Sequence, residues 1–174
     1  VARALVRTSG VVSLELSPPM EFIEAQFGEF GRELTDFTGL WERFADTLQD
    51  VEHERFATEG FGEWPPLAPS TIREKTRLGF PLTPLVRTGL LEGSLTRRDE
   101  AMRLTPQSMS WGTDVPYAKY HQGFRDEAGT PTDEGRPPVR KVLDIRVEDR
   151  RRLEASMVGW INEIAARTLG RVAA

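Results

Sequence analysis

Between Trp64 and Leu95 the chain sets Pro65, Pro66, Pro69, Pro81 and Pro84 among Gly79, Gly89 and Gly93. No long helix or strand runs through so many breakers, so this stretch divides whatever is built before it from whatever is built after. Within it the spacing predicts two short helices, Pro69 to Leu78 and Thr88 to Leu95. Ser70 or Thr71 can cap the first, and Gly79 followed by Pro81 can stop it. Thr88 can cap the second, which carries Leu90, Leu91 and Leu95 on roughly one side. Residues of these types hold a shape and meet a partner surface, and none is suited to bond chemistry.

On either side the periodicity lengthens. Trp41, Phe44, Leu48, Val51 and Phe56 recur at helical spacing from Thr35 to Glu59, with Glu42, Arg43, Asp46, Asp50, Glu52 and Glu54 mostly elsewhere. Leu153, Met157, Trp160, Ile161, Ile164, Ala165 and Leu169 form a second stripe from Glu148 to Leu169. Two long helices, about 37–59 and 148–169, are therefore expected to carry the core. Phe22, Ile23, Phe27, Phe30 and Leu34 mark another helix over Met20 to Leu34, which Gly28 and Gly31 would shorten or break, each costing about 1 kcal/mol relative to alanine.

Strand signals are shorter. Val12, Leu14 and Leu16 alternate with Ser13 and Glu15 before Pro18 and Pro19; this arm can pair within the fold or add to a neighbouring subunit's sheet. Met102 and Leu104, a turn at Pro106-Gln107, then Met109 and Trp111 read as a hairpin. Val115 to Gly123 reads as a helical turn begun by proline, and Val139 to Val147 as a last strand or extended segment. Phe124 to Pro138 has no apolar period, which makes it a mobile connection or an exposed contact loop. The expected architecture is α+β, one domain over residues 1–174: short helices on a small antiparallel sheet beside the two long helices, with the N-terminal strand as an arm.

Composition narrows function by exclusion. Apolar residues are 39% and charged ones 29%, a folded soluble composition. No apolar run approaches the ~20 residues of a membrane span, and the first residues lack a signal-peptide core. There is no cysteine and there are two histidines, so neither a thiolate site nor a zinc site is expected, and no cofactor. A net charge of −4 argues against a protein that lives by gripping phosphates.

Each candidate for chemistry has a plainer reading beside it. Tyr117 and His121, at i and i+4, could move protons, but no nucleophile motif accompanies them; the plainer reading puts the two tyrosines, 117 and 120, in the core and the histidine against a loop. His53 between Glu52 and Glu54 lacks a second histidine at i+4 and reads as a solvated face. Gly89 and Gly93 lack the lysine of a phosphate loop. Arg136, Arg140, Lys141, Arg146 and Arg150 to Arg152 are interleaved with acids, as on a solvated helix face or a charged subunit interface. Trp64 with Pro65, Pro66 and Leu67 is a core-anchored loop or an aromatic hot spot.

Read in order, four motifs fall into a series. Trp64, Pro66, Leu67, Pro69, Ser70 and Thr71 spell W-x-P-L-x-P-S-T ahead of a basic helix, Ile72 to Leu78. Leu85, Thr88, Gly89, Leu91, Ser94 and Leu95 follow, then the hairpin, then Tyr117, Ala118, His121 and Gln122, then G-R-P-P-V-R with Arg136 and Pro137. From about Leu40 to Leu169 this series resembles the tailed-phage virion morphogenesis proteins, the tail completion or neck proteins. The resemblance implies a small α+β protein without catalytic activity and without cofactor, in a homo-oligomeric ring, expected to be a hexamer. The ring would stand at the head–tail junction of the virion, after assembly in the host cytoplasm. Its neighbours would be the tail terminator or tail tube and the head-side stopper or adaptor, with double-stranded DNA passing through.

It makes Trp64, Pro66, Leu67, Thr88, Gly89, Leu91, Ser94, Tyr117, Ala118, His121, Gln122, Arg136 and Pro137 fold-defining or interface positions. Two departures stand out: the segment before Pro18 is longer than in the family, and Pro138-Val139 replaces an expected aromatic. The rival within this class is a tail terminator capping the tail tube. Rivals of other classes are a nucleic-acid-binding module using Lys75 to Arg77 and Arg150 to Arg152, and a small hydrolase using His121 and Tyr117.

Overall fold

The computed structural model describes residues 3–8, 12–17, 20–123 and 138–169. The element order is β1 (Arg3–Thr8), β2 (Val12–Ser17), α1 (Met20–Glu33), α2 (Thr38–Ala57), α3 (Pro69–Leu78), α4 (Leu90–Thr96), α5 (Arg98–Ala101), β3 (Met102–Thr105), β4 (Ser108–Trp111), α6 (Ala118–His121) and α7 (Val147–Thr168). The class is α+β, as the element pattern requires.

The sheet content differs from expectation in arrangement. Among the described residues there are two separate two-stranded antiparallel sheets, β1-β2 and β3-β4. The N-terminal strand is half of a hairpin, with Arg3 opposite Ser17 and Thr8 opposite Val12. Arg3 and Arg7 weaken the apolar alternation of β1, so its partner, not its own pattern, makes it a strand. The β3-β4 hairpin turns at Pro106-Gln107 as expected, and the Pro106 carbonyl accepts the Phe37 amide at 2.9 Å, which ties the hairpin tip to the start of α2.

Helix α1 runs unbroken through Gly28 and Gly31. Packing outweighs their propensity: Phe30 and Leu34 lie against a cluster built on Leu40, Trp160 and Ile164, with Phe37, Trp41, Phe44 and Ile161 around it. A second cluster gathers Phe56, Trp64, Leu91, Leu95, Ala118 and Val142. Helix α2 spans both, its first half in one and its last turn in the other. Its most buried positions include Leu40 and Ala45, outside the expected stripe, whereas Trp41, Phe44 and Leu48 are only partly covered. Asp36 supplies the cap, accepting from the Thr38 amide at 2.9 Å and its hydroxyl at 2.5 Å; those bonds hold its carboxyl below the usual range.

Helix α7 packs along α2, with Trp160 and Ile164 buried and Met157 exposed. Two ion pairs cross outside the contact, Arg43–Glu163 at 2.5 Å and Arg152–Glu54 at 3.3 Å. Exposed pairs of this kind contribute about 1 kcal/mol or less, so the buried aromatic and aliphatic contacts set the packing.

Two helix caps depart from the sequence reading. Helix α3 begins at Pro69 with Ala68 as its cap position, and no side chain caps it; Ser70 and Thr71 lie inside the first turn, past the cap. Gly79 ends it in the left-handed region, φ 70°. Helix α4 is entered through Gly89, φ 77°, without a Thr88 cap. Leu90 points outward at 59% exposure while Leu91 and Leu95 are buried, because seven helical residues offer one narrow covered face.

Residues 138–146 form no strand. Several of their backbone groups bond to side chains of other segments, and the Arg140 amide to the His121 carbonyl, which is where the candidate site lies.

Candidate functional site

After α2 the chain passes through four residues with positive φ, Glu59, Gly60, Phe61 and Gly62. A Cβ at Gly60 would stand 2.3 Å from Trp64 Cδ1, so only glycine lets the indole fold back under the helix end. There Trp64 meets Phe56 edge-on at 5.4 Å between ring centroids and donates Nε1–H to the Lys141 carbonyl at 3.0 Å.

Two further side chains complete a clamp on residues 138–146. The Arg140 guanidinium is buried and donates to the carbonyls of Pro65 at 2.9 Å and Pro66 at 3.0 Å; its amide donates to the His121 carbonyl at 2.9 Å. Gln122 accepts the amides of Val142 at 2.9 Å and Leu143 at 3.1 Å, and its Nε2 donates to the Leu143 carbonyl. These bonds satisfy a backbone that no neighbouring strand satisfies.

Lys75, which the nucleic-acid-binding rival would turn toward a phosphate backbone, is buried. Its ammonium donates to the carbonyls of Pro81 at 2.8 Å, Thr83 at 2.7 Å and Val86 at 2.6 Å, using all three protons. Desolvation first, then Arg87 and Arg140, push its pKa down. The neighbouring cleft, about 390 Å³, is lined by Leu67, Leu85, His121 and Arg140 among others. Its two buried cations, Lys75 and Arg140, are both committed to carbonyls, and Arg87, the exposed cation of its lining, pairs with Glu74 at 3.7 Å.

A third cluster escaped the sequence reading. Glu52, read from sequence as part of a solvated helix face, is 2% exposed, and Arg55, three residues on, is 3% exposed. Arg55 donates to Glu52 at 3.2 Å and to the Asp144 carbonyl. Across from them, fully buried Asp149 takes the Arg146 amide at 3.0 Å and its guanidinium at 3.0 and 2.9 Å, and the Arg146 guanidinium lies 3.1 Å from the Phe61 ring centroid. The Arg146 bonds hold the Asp149 carboxyl below its usual range. Burial pushes Glu52 up to about 7, against the pull of Arg55 and with a smaller push from Asp149. The signal was present in the sequence: Leu48, Val51, Glu52 and Arg55 stand at i, i+3, i+4 and i+7, one face of the helix.

The positions singled out by the motifs divide by burial. Trp64, Leu91, Ser94 and Ala118 are buried, Leu67, Gly89, His121 and Gln122 half-buried, and Pro66, Thr88 and Tyr117 exposed. Ser94 shares a hydrogen bond with Thr113 at 2.6 Å. Tyr117 and Tyr120 are exposed, not in the core, because α6 has four residues and buries only Ala118. His121 Nδ1 is buried without a partner among the described residues, and burial, then Arg140, push its pKa down. His53 is exposed. Arg136 and Pro137 lie outside the described residues.

Among the described residues no group of three or more His, Asp or Glu side chains could hold a metal, and no helix is long and apolar enough to cross a membrane. Trp64, Lys75, Gln122 and Arg140 bond through their side chains to backbone groups of other segments.

The family model for phage virion morphogenesis matches residues 20–162. The chain belongs to the phage virion morphogenesis family. Its role is in building a phage particle. The family match runs from the first residue of α1 into α7 and takes in all four motifs, with the clamp of Trp64, Gln122 and Arg140 inside it. It begins ahead of Leu40 and ends before Leu169, the two bounds of the resemblance, and leaves the β1-β2 hairpin outside. Neither the curated proteins nor the solved structures contain a match to the chain.

Proposed function

We propose that this chain is a tail completion or neck protein. Copies of it form a ring, most simply of six, at the head–tail junction, where the tail terminator or tail tube faces one side and a head-side stopper the other. The observation that carries the reading is the family match from α1 into α7. Work of this kind asks for a shaped surface, and the buried cations support it: Lys75 and Arg140 bond to carbonyls of their own chain. The ring works by fit between proteins, without catalysis. With a net charge of −4 it has little counterion release to gain from DNA, so DNA passes through without tight binding.

Deletion of this protein from its phage, scored by negative-stain microscopy, tests the reading. Filled heads and finished tails that fail to join, restored by the protein supplied in trans, are expected. Tails of unregulated length would assign the terminator role instead, and joined, infectious particles would end the proposal. A gel shift of duplex DNA by submicromolar protein at physiological salt would contradict passage without binding.

A further inference from the structure

Helix α3 is held firmly yet hardly covered. It has no extensive packing against another helix or strand among the described residues, and Lys75 is its only buried residue. The three carbonyl bonds of Lys75 fasten it to residues 81–86, and Glu74 pairs with Arg87 on that same side at 3.7 Å. At 100° per residue, Ile72, Arg73, Thr76 and Arg77 lie on the sector away from Glu74 and Lys75. Ile72 is 40% exposed, and neither Arg73 nor Arg77 has an ion-pair partner among the described residues.

A second surface of the same chain has the opposite charge. A cleft of about 520 Å³ is walled by Leu90, Val115 and Pro116 and carries Asp99, Glu100 and Asp114 against one cation, Arg103. Arg103 is paired with Asp114 at 3.1 Å and Glu100 with Arg97 at 2.7 Å, while Asp99 has no partner among the described residues. Leu90 is 59% exposed in it, and Tyr117, next after Pro116, is 42% exposed.

We propose that α3 of one copy seats in the acidic cleft beside Leu90 of the next copy. The inference rests on the ring reading above and names the surfaces that would make the ring. Ile72 covers Leu90, Arg73 and Arg77 approach Asp99 and Glu100, and each subunit offers both halves of the contact, the arrangement a head-to-tail ring requires. Rim charges of this kind choose partner and orientation more than they add affinity; the apolar contact and the pre-set helix supply the rest. Duplex DNA is a poor occupant of the cleft because its phosphates would meet net negative charge.

The chain contains no cysteine, so single introduced thiols report the contact without background. Purified full-length Thr76→Cys and Leu90→Cys chains are oxidised separately and as a mixture. Disulfide-linked dimers in the mixture, absent from either variant alone, are expected. Dimers of Thr76→Cys with itself, or none in the mixture, overturn the proposal.

Sedimentation velocity gives a second measurement. Arg73→Glu/Arg77→Glu should shift the unaltered chain's oligomer to monomer, and adding Asp99→Arg/Glu100→Arg to the same chain should restore it. Unchanged sedimentation of the first variant, or a native chain that is monomeric at every concentration, overturns the proposal. If these tests fail while the deletion phage still gives unjoined heads and tails, the neck reading stands and only the assigned surfaces fall.

Discussion

The guanidinium of Arg140 closes on the carbonyl of Pro65 at 2.9 Å across 75 residues of sequence, joining the turn after α2 to the irregular segment that leads into α7. Arg140→Ala removes this bond and the one to Pro66 and leaves two carbonyls short of a donor. Hydrogen bonds from a charged donor are worth roughly 1.5–3 kcal/mol each. A loss of about 3 kcal/mol in urea unfolding is expected; a loss under 1 kcal/mol would show that the clamp does not hold the fold.

Lys75 makes the same argument at a second place. Lys75→Met keeps the stem but leaves the carbonyls of Pro81, Thr83 and Val86 without their shared donor. A destabilisation of about 2–3 kcal/mol is expected, with amide exchange accelerating first in residues 80–87. If the variant instead lost DNA binding at unchanged stability, the inward role given to this lysine would be wrong.

Two glycines with similar φ should respond differently. Gly60→Ala must drive a methyl into the Trp64 ring, whereas a Cβ at Gly89 meets nothing within 4 Å. Gly89→Ala should cost about 1–2 kcal/mol, the left-handed backbone term alone, and Gly60→Ala clearly more. Thermal melts of the two variants compare them directly; equal costs would remove the close approach as an explanation.

The Glu52 carboxyl gives stability a pH dependence of unusual sign. Its folded pKa of about 7 lies above the ordinary value of 4.5, so the folded chain binds the proton more tightly. The stabilisation is complete below pH 4.5 and lost as pH rises through 7. It amounts to roughly 3 kcal/mol at most. Asp149, with its pKa depressed, contributes in the opposite sense and only in more acid solution, where its stabilisation is lost as pH falls. Urea unfolding between pH 5 and 8 should therefore show a decline that Glu52→Gln flattens. A profile that stays parallel in the variant would mean that Glu52 is ionised in the fold throughout.

Much of this architecture is legible in the sequence, because long apolar stripes and Pro/Gly breaks act locally. The stripes place α2 and α7 to within a few residues, and Gly79 stops α3. What cannot be read is whatever depends on a partner far along the chain. Val139 to Val147 alternates like a strand, yet its backbone bonds go to Gln122, Trp64 and His121. The type of Lys75, Glu52, Arg55 and Arg140 says solvent, and only their distant carbonyl, carboxylate and guanidinium partners make burial tolerable. At the candidate site the motif residues were legible as a set. Arg140, the cation that joins Pro65 and Pro66 to them, stood in the sequence only as one of a basic run.

The bond from the Arg140 amide to the His121 carbonyl also acts as a knot at the neck of everything strung between those two residues. Once that neck is tied, the entropic cost of closing it rises only slowly with the number of residues between the two ends. A change in the number of residues between His121 and Arg140 should therefore leave α7 where it is.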